Sequence, residues 1–382
     1  MHLKTKDIVL SLFSHQKANK NMMTSKERIK AALNNQQVDR MPYTPCIDNY
    51  MKSGLPQKYQ SVEIKELQKL MGSDLIRYPS CVKVSFDDTV KHTHTESADG
   101  IISDVYETPL GTLKEEHKLI PESPHIPFPT EYLIKKASDL KILNYLLQHK
   151  ILEPDYEDLE ATIKKFDDVM IAPAIDDTPY VQLYTKYIGV ENFVYMYFED
   201  PPAIEETMQI WQEVNNKAVE IAASSPAEVF ICYENTNTGH SSTEWIEQYE
   251  LPALNDYANI MHAKGKKLLI HMCGKLNMVI DKIAESEFDG IIDVSPAPTG
   301  DCNFTEAAGK MAKHSKIIAG GIECNAYASD DNQKFTKDVN LFARQLSPYK
   351  NFWLGSGDAV PLGATVENLA SAREIAGNIK FS

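Results

Sequence analysis

Arginine is the scarcest of the charged residues in this chain. Arg28, Arg40, Arg77, Arg344 and Arg373 are the only ones, and the formal net charge is −15. A surface so poor in clustered cations excludes a general nucleic-acid binder, because phosphate contacts need Lys and Arg gathered on one face. Long apolar runs are also missing. No stretch approaches the roughly 20 residues needed to span a bilayer, and Ile8–Phe13 is too short for the apolar region of a secretory signal. Glycine-rich phosphate loops of the G-x-G-x-x-G or Walker type do not occur. The six cysteines are irregularly spaced over 382 residues, which does not suit a disulfide framework. The expectation is a reducing, cytoplasmic compartment in which thiols remain available as ligands.

What is present is a series of short apolar runs, each ending in a polar residue. Val169–Ile175 leads to Asp176 and Asp177, Val229–Tyr233 to Glu234, and Lys267–Ile270 to His271 and Cys273. Gly290–Ile292 leads to Asp293, Ile317–Ala319 to Cys324, and Phe352–Leu354 to Asp358. Between them lie segments of helical period. Asp200-Pro201 opens one of these, with Asp as cap and Pro at the first helical position, and it runs through Ala223. Strand alternating with helix through short connections indicates parallel pairing. Length alone allows two or three domains, an open doubly wound sheet, or one barrel with insertions. The polar residues decide for a (β/α)8 TIM barrel, because a barrel gathers the carboxyl ends of its strands around one mouth where an open sheet would string them along an edge.

Two additions to the barrel are expected. Residues 1–23 read as a polar N-terminal extension, followed by a single domain over 24–382. Thr24-Ser25-Lys26-Glu27 has the capping-box pattern, so a short helix through Leu33 should follow, with an extended stretch after Met41-Pro42. Within 81–130, short β-like runs separated by turn residues indicate a small antiparallel insertion. Residues 130–168 are charged and helical in period.

The chemistry concentrates at His271-Met-Cys273. Positions i and i+2 of a strand share one side, so both donors can reach one ion. Taken alone, such a pair is more often a hydrogen-bonded core pair. Cys324, after Gly320-Gly321 at an equivalent strand end, shifts the reading to a soft three-ligand set of one imidazole and two thiolates. That set suits zinc and leaves a coordination position open, as catalytic sites do. Glu234, before Asn235-Thr-Asn237-Thr, is a further candidate ligand or catalytic carboxylate, or else an acidic loop cap. Asp293 is a second candidate catalytic carboxylate, as a labile fourth ligand that substrate displaces, or else a helix cap. Asp177, Tyr180 and Asn237 are candidate substrate contacts at the mouth. Cys46, Cys81 and Cys302 read as packing or surface residues, Cys232 as a core residue within its strand, Glu250 as a solvated helical carboxylate, and Asp358 as a loop stabiliser.

Several of these stretches together resemble the uroporphyrinogen decarboxylase superfamily over residues from about 24 to 380. They are Lys26-Glu-Arg-Ile-Lys-Ala-Ala-Leu with Asp39-Arg40-Met-Pro42, Tyr106-Glu-Thr-Pro-Leu-Gly-Thr-Leu113, His271-Met-Cys-Gly274, Gly320-Gly321-x-x-Cys324, and Gly355-Ser-Gly-Asp with Glu367-Asn-Leu369. The last three resemble its zinc-dependent methyltransferase branch. Glu234–Thr238 and Asp293–Asp301 look most like members assigned to corrinoid-dependent demethylation. Decarboxylases of the family grip a carboxylated porphyrin with Arg residues near the N-terminus. The matching segment here, Pro42–Met51, has none. The resemblance implies a Zn2+ enzyme that moves a methyl group from a methoxy compound, such as a methoxyarene, to the cob(I)alamin of a corrinoid partner protein. A thiol-methylating enzyme of the coenzyme M type is the alternative, and a ligand-binding barrel with a structural zinc is the non-enzymatic one. Neither membrane nor nucleic acid is expected as partner, and the sequence leaves the oligomeric state open, a homodimer included.

Overall fold

The computed structural model describes residues 22–120 and 123–379. Apart from Met22 and Met23, the expected N-terminal extension lies outside the described residues. The chain starts as its first motif dictates. Thr24 caps the helix Ser25–Leu33 and Glu27 answers back to the cap backbone, a reciprocal arrangement in which the cap alone contributes about 1 kcal/mol.

Six parallel strands follow the six apolar runs. In sheet order they are Phe352–Ser356, Ile317–Ile322, Gly290–Val294, Lys267–His271, Val229–Cys232 and Ala174–Ile175. Two further strands close this sheet into a barrel. The first is so short that only Tyr43 and Cys46 form bridges, to Leu354 and Ala359. Its backbone meets the last strand through Leu354 N–H to Pro42 O (3.0 Å) and Thr44 N–H to Leu354 O (2.9 Å). On its other side Asp74 N–H reaches Tyr43 O (2.7 Å). The second strand, Ile76–Arg77, pairs with Met170–Ile171, and Met170–Ile175 is one barrel strand interrupted at Pro173. These eight strands and their crossover helices make the expected (β/α)8 barrel. The first two strands are illegible as apolar runs because Pro42, Pro45 and Pro79 interrupt them and remove ladder donors.

Alternation along the strands sorts the side chains. Met170 and Ala172, Val229 and Ile231, Leu269, Ile292, Ile317 and Ala319, and Trp353 form one cluster, which is the barrel interior. Ile29, Ala32 and Leu33 of the first helix join it, so that helix plugs the barrel. The intervening residues, including Phe230, Cys232, Leu268, Ile270, Ile291, Val294, Phe352 and Leu354, pack outward beneath the helices.

The insertion sits between the second and third barrel strands. It is a four-stranded antiparallel meander, Lys91–Glu96, Ile101–Thr108, Gly111–Ile120 and Ser123–Glu131. The region 130–168 is helical only in part. Leu140–Gln148 and Tyr156–Lys165 are helices, but Lys150–Pro154 is a strand paired antiparallel with Val82–Phe86. That pairing is long-range, and charge-rich Lys150–Pro154 gives no local sign of it.

Candidate metal centre at the barrel mouth

Leu269 and His271 point into the barrel while Ile270 and Met272 point out, so the strand carries Cys273 to the same side as His271. The loop after the last strand brings Asp358 to them. The ligand atoms of His271, Cys273 and Asp358 lie within 4.8 Å of one another, the only such group of three among the described residues. Sequence reading assigned Asp358 to loop stability. The signal for its true position was the strand-end rule, which holds for the eighth strand as for the others.

Asp293 orients this group. A bulge between Ile291 and Val294 breaks the alternation of the sixth strand. Ile292 faces inward and Val294 outward, so Asp293 is the inserted residue. It takes a φ of 60°, a conformation seldom adopted by residues other than Gly, Asn and Asp. Its Oδ2 accepts a hydrogen bond from His271 Nδ1–H at 2.8 Å. That contact fixes the ring and leaves Nε2 to act as a ligand. The Gly-Gly pair on the neighbouring strand makes room for the bulge. A Cβ on Gly320, which has a φ of 123°, would stand 2.6 Å from Val294 N and 2.7 Å from its carbonyl oxygen.

His271 is 7% exposed. Burial disfavours its charged form, but hydrogen bonds to Asp293 and Cys273 and their negative charge prevail and raise its pKa to about 10. Surroundings that hold a proton this firmly also suit a metal cation, which would have to displace that proton. One imidazole, one thiol and one carboxylate are a donor set that fits zinc.

The loop after the fourth strand lies across the Cys273 turn. Asn235 N–H donates to His271 O at 3.0 Å, and the Cys273 thiol is 3.5 Å from Asn235 Oδ1. Asn237 Oδ1 accepts from the backbone of Gly239 (2.8 Å) and Lys275 (3.2 Å), so this candidate substrate residue ties the two loops together. Gly274 is required beneath them, because a Cβ there would stand 2.3 Å from Thr236 O.

Cys324 begins a short 3-10 turn beyond its strand. Its thiol contacts Thr299 Oγ1 (3.4 Å) and Glu323 Oε1 (3.5 Å) and is not one of the three gathered donors. Burial, and to a lesser extent Glu323 and Asp358, raise its pKa against the hydrogen bond from Thr299.

Glu234 occupies the outward phase of the fourth strand; Tyr233 takes the inward one, with its ring 5.3 Å from that of His271. Glu234 is 0% exposed and accepts from both the backbone N–H (2.8 Å) and the hydroxyl of Thr178. Burial first, and then Glu250 and Asp177, push its pKa well above the usual carboxylate range. Glu250 is also 0% exposed, which corrects its reading as a solvated residue. It ends a π-helical stretch, Ile246–Glu250, whose wider turn departs from the 3.6-residue period. Burial pushes its pKa up to about 8, with Asp177 adding to the effect and a hydrogen bond from Thr236 opposing it. Asp177 is buried and pairs with Lys186 at 2.6 Å. Tyr180 is buried too, its hydroxyl 2.6 Å from Ser241 Oγ, in a cluster with Tyr184, Phe193, Trp245 and Tyr249.

A cavity of about 120 Å³ adjoins His271 and Asp293. Cys46, Tyr78, Tyr233 and Trp353 line it, and no Lys or Arg does. Tyr78 and Tyr233 meet edge to face, centroids 5.6 Å apart. Cys46, read from sequence as packing or surface, thus stands at the mouth. Burial raises its thiol pKa strongly, and Asp293, Asp358, Asp48 and Cys273 add to the effect.

A closed barrel with metal-binding donors at the carboxyl ends of its strands defines the class, a TIM-barrel protein with an enzyme-like mouth. The sequence profile of the uroporphyrinogen decarboxylase (URO-D) family matches residues 180–378, more than half of the chain, and the chain belongs to that family. Among solved structures, a methyltransferase from Methanosarcina mazei superposes with a TM-score of 0.59 at 14% identity, covering 93% of this chain and 98% of that one. A D-psicose 3-epimerase from Clostridium cellulolyticum H10 shares far less, with a TM-score of 0.35 at 8% identity over 63% of this chain and 84% of that one. No curated protein matches the sequence.

Proposed function

We propose that this protein is a zinc-dependent methyltransferase that takes a methyl group from a methoxy compound and delivers it to the cob(I)alamin of a corrinoid partner protein. The grouping of His271, Cys273 and Asp358 at the barrel mouth is the observation that carries this reading. His271, Cys273 and Asp358 would hold the metal, and Cys324, one strand end away, is proposed to complete the set. Zinc held there supplies Lewis acidity, which lowers the cost of negative charge on the oxygen that the methyl group leaves.

The chain's own residues do the rest. Asp293 holds the His271 ring by its Nδ1–H, so the other ring nitrogen faces the ligand group. The two tyrosines and Trp353 give the adjoining cavity aromatic walls, which suit a ring-bearing donor. Absence of Lys and Arg from that lining counts against a polycarboxylated porphyrin as substrate, and so against decarboxylation. The fold shared with the Methanosarcina mazei methyltransferase supports the same branch.

The test is anaerobic. Zinc-loaded protein is mixed with photoreduced cob(I)alamin and a panel of methoxyarenes, methanol and methylamines, and absorbance is followed. Donor-dependent formation of methylcob(III)alamin with a methoxyarene is expected. Inactivity with every donor, together with methylation of free thiols by methylcobalamin, would reverse the direction of transfer and favour the thiol-methylating enzyme.

A further inference from the structure

The strand that ends in His271 is gripped from both sides. Lys267–His271 lies between Gly290–Val294 and Val229–Cys232 in the sheet. On one side Asp293, at a φ of 60°, holds the His271 ring. On the other side Asn235, at a φ of 55°, meets the Cys273 thiol. Left-handed backbone is uncommon outside glycine, and Asn and Asp are among the residues that adopt it most readily. The other non-glycine residues with positive φ among the described residues, Asn35 and Ser315, each follow the cap of a helix, where this conformation is a usual stop. At the mouth it serves a different end, since each left-handed residue touches one of the two metal-binding side chains carried on the strand between them.

Asn235 makes contacts with both of its ends. Its backbone N–H donates to His271 O at 3.0 Å. Its Nδ2–H donates to Tyr233 O at 3.2 Å, which leaves Oδ1 to accept from the Cys273 thiol at 3.5 Å. The residue is exposed, so its carboxamide has room to turn. The observed pose suits a thiol, which has a proton to give. A cysteine that binds a metal does so as the thiolate, which only accepts. The carbonyl end of Asn235 would then face negative sulfur. The other end of a carboxamide carries two N–H donors, and half a turn about Cβ–Cγ exchanges the ends, trading the bond to Tyr233 O for one to sulfur.

We propose that Asn235 is a positioning residue for the thiolate: with the centre loaded, its Nδ2–H donates to Cys273 Sγ, fixes the sulfur and draws electron density from it. A thiolate relieved of charge donates less to the metal, which leaves a stronger Lewis acid at the mouth. Asp293 on the imidazole and Asn235 on the sulfur then give each ligand of this strand its own orienting hydrogen bond. The inference rests on the metal-binding reading of the mouth and not on the identity of the methyl donor.

Cobalt(II) in place of zinc reads the sulfur directly. Asn235→Gly takes up left-handed backbone freely and removes only the carboxamide. Full-length wild type should show a thiolate-to-cobalt charge-transfer band, and the variant, whose sulfur has lost a hydrogen bond, the same band at longer wavelength. In a competitive chelator titration the variant should bind zinc about 10–100-fold more weakly. A band and an affinity equal to those of wild type would overturn the proposal, leaving Asn235 a backbone role that Gly fills. Should the variant fail to fold, wild type labelled on asparagine decides by NMR. Added zinc should shift the Asn235 side-chain NH2 signals and slow their exchange with water, and signals that stay unchanged refute the role. A wild type without the cobalt band would sink the metal centre and this inference together, whereas a wild-type band that the variant shares sinks the inference alone.

Discussion

At the scale of single residues, the barrel mouth separates donors from supports. Replacing Cys273 by Ser or Asp358 by Asn removes a ligand, and either variant should lose zinc on desalting while keeping its fold. Replacing Asp293 by Ala leaves the three donors but frees the His271 ring. Loss of such an orienting partner weakens metal affinity by about 10–100-fold, which a competitive chelator titration measures. Glu250 gives a pH test. Its folded pKa, pushed up to about 8 by burial, lies above the unfolded carboxylate value. The native state therefore binds the extra proton, and this group's contribution to stability falls as pH rises from the unfolded pKa toward 8, then levels off. Urea midpoints over that window should decline in wild type, with a shallower decline in Glu250→Gln; parallel profiles would assign the slope elsewhere. Sequence placed His271 and Cys273 together because a two-residue spacing on a strand fixes a shared side. The same parity argument, applied to Val229–Glu234, sends Tyr233 inward and Glu234 outward. Asp358 stands at the end of its apolar run as the other polar residues do, but its spacing from His271 and Cys273 in sequence carries no sign that the three would meet.

At the scale of elements, the bulge in the sixth strand and the glycine pair in the seventh are one device. Asp293 faces the site only because the bulge inserts it, and the bulge fits only because Gly320 has no Cβ. Gly320→Ala combines a left-handed φ with a backbone clash and should cost ~2–4 kcal/mol in chemical denaturation. If the variant folds, it should also bind zinc more weakly, since the clash falls on the peptide that carries Asp293. An alanine variant as stable as wild type would show that the neighbouring strand yields freely. Elements with strong local signals were legible, among them the Thr24 capping box, the Asp200-Pro201 helix start and the apolar runs. The strand Lys150–Pro154 and the π-helical turn at Ile246–Glu250 were not. The first depends on pairing with a segment far away in sequence, and the second on tertiary packing that overrides the ordinary helical period.

At the scale of the whole molecule, eight strands bring residues from distant parts of the chain to one mouth, and an amphipathic helix N-terminal to them closes the other end with Ile29, Ala32 and Leu33. Polar residues at the ends of successive apolar runs were enough to indicate a barrel rather than an open sheet. They did not reveal which of them would meet, because that depends on loop paths and strand phase. Among the described residues no helix is long and apolar enough to cross a membrane. The central claim is that the mouth holds a metal through a thiolate, an imidazole and a carboxylate. Cobalt(II) tests it most directly, since it takes the place of zinc and reports its ligands by absorption. The account predicts an intense thiolate-to-cobalt charge-transfer band in wild type that Cys273→Ser abolishes. Cobalt binding without that band, or a band unchanged in the variant, would contradict it.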